Sequence, residues 1–176
     1  MRDRIPPAVP AAGSCDLPGG TPPDDRLHRR FDPQAFAWEG VEPQVYKAGP
    51  ADAPGMLWRD VVRHTLTGPG SAFVLRYFEI APGGYSSLEK HRHVHAAVVL
   101  RGRGQVVVGR RVFAVAPFDL VYVPPLTPHQ FINAGEGPFG FLCPVDSDRD
   151  PPQPLTDEEL ADLLADPAVR AVLRHR

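Results

Sequence analysis

The sequence predicts an all-β fold, a sandwich or barrel, followed by a short helical tail. Three observations carry this. The chain has 22 prolines and 16 glycines in 176 residues, and they punctuate it into short segments. Those segments are rich in Val, Ile, Phe and Tyr, the residues that suit a pleated surface. No helical apolar period occurs until the last two dozen residues.

Each element follows from its own residues. "VEPQVYKAG" reads as a first strand. "WRDVVRHTL", the turn "TGPG" and "SAFVLRYFEI" read as a β-hairpin. "PGG" at 82–84 breaks the chain. "AAVVLRGRGQVVVGRRVFAVAP" reads as strands divided by glycine turns. "FDLVYVPPLTPHQFIN" is a strand, a proline-rich turn and a strand, and "GPFGFLCPV" is a last strand. The tail "LTDEELADLLADPAVRAVLRHR" is helical. Thr156 and Glu159 stand at capping-box spacing, Asp166-Pro167 starts a second helix, and Leu160, Leu163 and Leu164 form an apolar stripe. The organisation expected is a flexible arm over 1–30, a barrel over 31–150, and a helical appendage over 151–176 packed on the barrel or a partner subunit.

Composition excludes several function classes. The formal net charge is −2, which argues against nucleic-acid binding and a basic membrane surface. No apolar run approaches a transmembrane span. The N-terminus lacks the apolar region of a secretory signal, so a cytoplasmic protein is expected. The cysteines are Cys15 and Cys143. Cys15 lies in the arm, so a structural disulfide is not expected.

The chemistry concentrates in "GGYSSLEKHRHVHAAVVLRGRG". Glu89, His91, His93 and His95 occupy alternate positions, which a strand would place on one face. Any of them could hold a metal ion. His129 stands apart, in the later proline-rich segment. Cys143 in "GFLCPV" is either a buried core residue or a thiol facing the pocket. Its facing is not fixed by alternation, because Gly140 and Pro144 could bend the strand.

These segments resemble the two motifs of the cupin superfamily, small double-stranded β-helix (jelly-roll) barrels. The first motif is written G(X)5HXH(X)3,4E(X)6G and the second G(X)5PXG(X)2H(X)3N. Taking His91 and His93 as the paired histidines fails, because Tyr85 then replaces the glycine and Ala97 or Val98 the acid. Taking positions 89 and 91 fits every spacing: Gly83 opens the motif, position 95 is the acid position, and Gly102 closes it. Glu89 and His95 have then exchanged places, which keeps one carboxylate and two imidazoles. In the second motif Pro124, His129 and Asn133 fit, while Phe118 and Leu126 replace the glycines. Those two turns are expected to close without a residue at positive φ.

The resemblance implies Glu89, His91, His95 and His129 as ligands of a divalent metal. Mn is the first choice, with Fe, Co, Ni or Zn also compatible with a mixed N/O shell. His93 is left as an acid–base group in the pocket, an exchange ligand, or a partly exposed loop residue. Four ligands around an octahedral ion leave two open positions, suited to a substrate with neighbouring oxygens. Arg76, Lys90, Arg92, Arg101 and Arg103 gather around the strands, and a phosphate-bearing substrate would use one or two of them.

The same segments, with "GFLCPVDSDRD", look like a subgroup of small bacterial cupins that includes manganese-dependent methylsulfurylases of methylthioadenosine salvage. That likeness implies a reaction in which 1-methylthio-xylulose 5-phosphate becomes 1-deoxyxylulose 5-phosphate and glutathione takes up the methylthio group. Cys143 would be the thiol at the site. An iron-dependent dioxygenase, a sugar isomerase and a non-catalytic small-molecule-binding cupin are the alternatives. Barrel edges make a homodimer the expected assembly.

Overall fold

The computed structural model describes residues 28–47, 56–67 and 70–175. The expected arm over 1–30 falls almost wholly outside the described residues, and so does Cys15. The elements, in chain order, are β1 (Phe31–Asp32), β2 (Ala37–Trp38), β3 (Gln44–Val45), β4 (Arg59–Thr65), β5 (Phe73–Tyr85), β6 (His95–Arg101), β7 (Gly104–Val108), β8 (Arg111–Val115), β9 (Leu120–Val123), β10 (His129–Ile132), β11 (Phe139–Asp146), α1 (Asp157–Leu164) and α2 (Pro167–Val172).

Strands β3 to β11 form one antiparallel sheet of nine strands that curls into a barrel-like shell. The order along it is β8-β7-β10-β5-β11-β6-β9, with β3 paired to β4 and β4 to β5. Period-2 alternation turns each strand's apolar set inward. Ala97 and Val99 of β6, Val121 and Val123 of β9, and Phe139, Phe141, Cys143 and Val145 of β11 all enter one buried cluster.

The hairpin read from "WRDVVRHTL" and "SAFVLRYFEI" is present as β4 and β5, paired from Val61↔Ile80 to Thr65↔Arg76. Two other expectations are corrected. "VEPQVYKAG" supplies only the two-residue β3, and β1 and β2 precede it. "PGG" does not break the chain: β5 runs through it to Tyr85, and the register against β4 shifts between Arg59↔Tyr85 and Val61↔Ile80. The three residues are absorbed as a bulge, with Gly83 at φ +75°. Beyond that bulge β5 reaches β10 through Ile132↔Tyr85. One long strand thus links both walls of the barrel.

The turns at Phe118 and Leu126 are a third correction. Both residues adopt positive φ, +75° and +56°. The left-handed backbone is kept although the glycine is gone, at a cost of about 1–2 kcal/mol each. Hydrogen bonds hold both in place, Phe118 N to Val99 O at 2.7 Å and Leu126 N to His91 O at 2.6 Å.

The tail folds as its sequence implies. Thr156 caps α1 with a complete capping box, and Asp166 caps α2 with Pro167 in its first turn. Leu163, Val169 and Leu173 pack with Val107 and Ile132 of the barrel. All four residues of β10 are therefore buried, with the barrel interior on one face and the tail on the other. At the opposite side, the β1–β2 hairpin lays Phe36 and Trp38 over Tyr77, ring centroids 5.5 and 5.3 Å away.

Candidate metal centre

Three histidines meet inside the barrel. His95 opens β6, His129 opens β10, and His91 lies in the loop before β6. One donor atom from each falls within 4.8 Å of the others, and all three residues are buried. His91 Nε2 and His95 Nε2 are 2.8 Å apart. Their other nitrogens are engaged outward. His91 Nδ1 meets the His93 carbonyl at 2.7 Å, His129 Nδ1 the Thr127 carbonyl at 3.0 Å, and His95 Nδ1 the Cys143 sulfur at 3.0 Å. A ring that donates through Nδ1 presents the Nε2 lone pair to the centre, which is how a second shell orients a metal ligand.

Electrostatics favour the same use. Burial, then the neighbouring His129, lowers His91 to about 4. Burial likewise holds His95 and His129 below the ordinary histidine value. All three rings are neutral near pH 7, with lone pairs available to a cation. The donor set fits a divalent ion with nitrogen and oxygen ligands.

Glu89 stands beside the trio. Its backbone exchanges hydrogen bonds with His129, N to O at 3.2 and 2.9 Å. Directly opposed residues of an antiparallel pair share a face, so Glu89 and His129 both point into the cavity. Its Oε2 is engaged by Lys47 and by the Ser87 hydroxyl. Burial pushes the carboxyl up, but Lys47 and His129 outweigh it, and the net displacement is downward. The carboxylate is therefore ionised.

His93 does not belong to the convergent trio. It stacks on His91 with ring centroids 3.6 Å apart, and its Nδ1 lies 2.8 Å from Asp150 Oδ1. Asp150 also accepts from the backbone N–H of Arg92 at 2.8 Å and of His93 at 3.1 Å. Burial acts upward on this carboxyl, but those hydrogen bonds hold it below the usual carboxylate range. The result is a histidine–carboxylate pair on the cavity wall.

Cys143 faces inward. Strand β11 pairs with β5 without interruption from Phe139↔Ile80 to Asp146↔Phe73, while against β6 its register shifts between Gly140 and Phe141; beyond that shift Phe141, Cys143 and Val145 alternate into the core. The thiol is both a buried core residue and part of the cavity wall. Burial raises its pKa, while the Arg76 guanidinium, 3.6 Å from Sγ, pulls the other way.

The cavity measures about 730 Å³ with its open mouth. Of the basic residues marked in the sequence, Arg76 alone lines it. Lys90 pairs with Glu159 of the tail, and Arg101 with Glu79 at 2.9 Å on the outer face. Asn133 of the second motif is structural: it donates to the Ile80 and Gly137 carbonyls at 2.8 and 2.9 Å. Sequence reasoning missed Lys47, Arg63, Ser87 and Asp150. Only Asp150 left a signal, the acidic run "DSDRD" after the last strand.

The cupin domain family, Cupin_2, matches residues 76–145. A 1-methylthio-D-xylulose 5-phosphate methylsulfurylase from Rhodospirillum rubrum is 47% identical over 151 residues, 85% of this chain and 94% of its own. The crystal structure of a cupin-2 domain protein from R. rubrum covers 81% of this chain and 93% of its own, at 45% identity and TM-score 0.69. A cupin 2 conserved barrel domain protein from Rhodopseudomonas palustris covers 84% and 99%, at 43% identity and TM-score 0.72. With two cupin motifs on one curled antiparallel sheet and relatives matched over most of its length, this chain belongs to the cupin domain family.

Proposed function

We propose that this chain is a metal-dependent enzyme that moves a methylthio group from a phosphosugar ketone to a thiol. In this reading 1-methylthio-xylulose 5-phosphate is the substrate, 1-deoxyxylulose 5-phosphate the product, and glutathione the final acceptor. The observation that carries it is the Cys143 thiol, 3.0 Å from His95 on the wall where three neutral imidazoles converge. The name of the R. rubrum relative supports the choice of substrate.

Glu89, His91, His95 and His129 would hold the ion; the mixed N/O set suits Mn, Fe, Co or Ni, and manganese is chosen from the likeness to the methylsulfurylase subgroup. The ion would supply Lewis acidity to the ketone and its neighbouring hydroxyl. Cys143 attacks the substrate sulfur as the thiolate, the form that the Arg76 guanidinium stabilises against the burial that raises its pKa. An S–S bond forms, the C1–S bond breaks, and its electron pair passes to C1 as an enolate with the C2 ketone. His93, oriented by Asp150, returns a proton to C1. Glutathione then gives its thiol proton back to His93, attacks the methylthio sulfur of the mixed disulfide, leaves as the methylthio–glutathione disulfide and regenerates the Cys143 thiolate. The sugar carbon gains two electrons and two sulfurs lose them, so no O2 enters.

The test is an anaerobic assay of full-length protein with the phosphosugar and glutathione, beside a metal analysis. Wild type should turn over with a near-stoichiometric divalent ion bound. Cys143→Ser should keep the ion and lose turnover by about a hundredfold or more. Undiminished turnover in Cys143→Ser, or an absolute need for O2, would sink the reading. A homodimer paired along β9 is part of the same proposal, because Leu120 and Tyr122 leave that edge strand 64% and 56% exposed. A monomer in sedimentation would remove it.

A further inference from the structure

Two basic residues of the cavity wall, Arg63 and Arg76, have no carboxylate within ion-pair distance among the described residues. Glu89 is engaged by Lys47. Arg76 is 8% exposed. Its guanidinium sits over the Phe78 ring at 4.9 Å and reaches the Cys143 sulfur at 3.6 Å, while Nε is buried with no acceptor. Arg63 gives Nη2 to Gln44 Oε1 at 3.0 Å, and its Nε is also buried with no acceptor.

The sheet brings these two arginines together. In the β4–β5 register Arg63 faces Phe78, and Thr65 faces Arg76. Arg63 and Arg76 are therefore diagonal neighbours on one face, a spacing of about 7–8 Å that long side chains bridge. That face is the cavity wall. Two adjacent guanidinium groups repel each other, and burying one without a counter-charge is costly. A bound oxyanion removes both penalties. Guanidinium forks match the oxygens of a phosphate in pairs.

We propose that Arg63 and Arg76 form the subsite that holds the anionic group of the ligand, a phosphate monoester. The choice of a phosphosugar rests on the reading given above, whereas the subsite itself rests on the two guanidinium groups. Arg76 then spans two parts of the site, with one edge on the Cys143 sulfur and the other on the phosphate, and it sets their separation. A ligand without the anionic group would leave the pair uncompensated.

The experiment titrates inorganic phosphate into full-length protein, metal-loaded and chelator-treated, by calorimetry. Wild type should bind one phosphate in both states. Arg63→Met and Arg76→Met should each weaken it by about tenfold or more, and Arg111→Met, on β8 outside the cavity, should not. Arg76→Met should melt no lower than wild type without phosphate, because it removes an uncompensated buried charge. If it fails to fold, the half-buried Arg63 carries the test alone. Unchanged phosphate affinity in the arginine variants would overturn the proposal. So would loss of binding in His91→Ala with the arginine variants intact, or tighter binding of succinate than phosphate at the pair. Loss of phosphate binding in the arginine variants, with no methylthio transfer by wild type, keeps the subsite and removes the reaction. Normal turnover with unchanged KM in those variants does the reverse.

Discussion

His91 links the candidate metal centre to the stability of the whole barrel. The residue is 2% exposed, and its pKa is lowered from 6.5 to about 4 by burial and then by His129. The unfolded chain therefore takes up the proton first. Stability from this group is complete above pH 6.5 and is lost as the pH falls toward 4. Between pH 7 and 5 the loss through this one ring is about 1.8 kcal/mol, since each tenfold difference in proton binding is worth about 1.4 kcal/mol. His95 and His129 shift in the same direction and add to it. Glu89 and Asp150 titrate below this window in either state, because their folded values lie under ordinary carboxylate values. The assay is urea unfolding of chelator-treated protein at pH 7 and pH 5, wild type beside His91→Gln. The variant should lose about 1.8 kcal/mol less than wild type over that interval. An identical pH dependence in both proteins would refute the account of a buried neutral His91.

Three further outcomes follow from the geometry. Glu89→Ala and His95→Ala should each deplete the bound metal, while His93→Ala should spare it, because His93 is turned to Asp150; metal analysis decides, and an empty His93→Ala protein would overturn the ligand assignment. Gly102 sits at φ +71°, and an added Cβ would overlap the Pro138 carbonyl, so Gly102→Ala should cost about 3 kcal/mol or more and lower Tm by about 6–12 °C. Asp150→Asn should lower kcat by about tenfold or more with metal content unchanged, since it loosens the orientation of His93 without touching the three convergent rings.

The sequence carried the strand rhythm, the tail and the convergent histidines to different extents. Gly83 and Gly102 anchor the motif spacing, but residues 91–94 form a loop and not a strand, so alternation grouped His93 with its neighbours although it turns to Asp150. The caps of both helices are local chemistry and read directly from Thr156, Glu159, Asp166 and Pro167. Phe118 and Leu126 were misread because tertiary hydrogen bonds, not local preference, hold their backbones left-handed. Pro82 to Gly84 read as a break because a bulge and a turn use the same residues. Lys47 reaches Glu89 from 42 residues away and Asp150 reaches His93 from 57, and no spacing rule spans such distances. Arg63 and Arg76 were separable from other basic residues only through the β4–β5 pairing.

The loop that carries His91 is clasped by chain that lies far beyond it. Lys90 exchanges backbone hydrogen bonds with Gln153 at 3.1 and 2.8 Å, Asp150 caps the N–H groups of Arg92 and His93, and Arg174 N donates to the Gln130 side chain next to His129 at 2.8 Å. During synthesis the chain emerges from its N-terminus, so the histidines leave the ribosome well before their clasp. The barrel strands can pair while His91 is still unfastened. The centre closes only when residues 150–153 are free to fold back, and β10 is sealed only after Arg174. A metal that arrives before residues 150–153 fold back would therefore meet His91 on an unfastened loop.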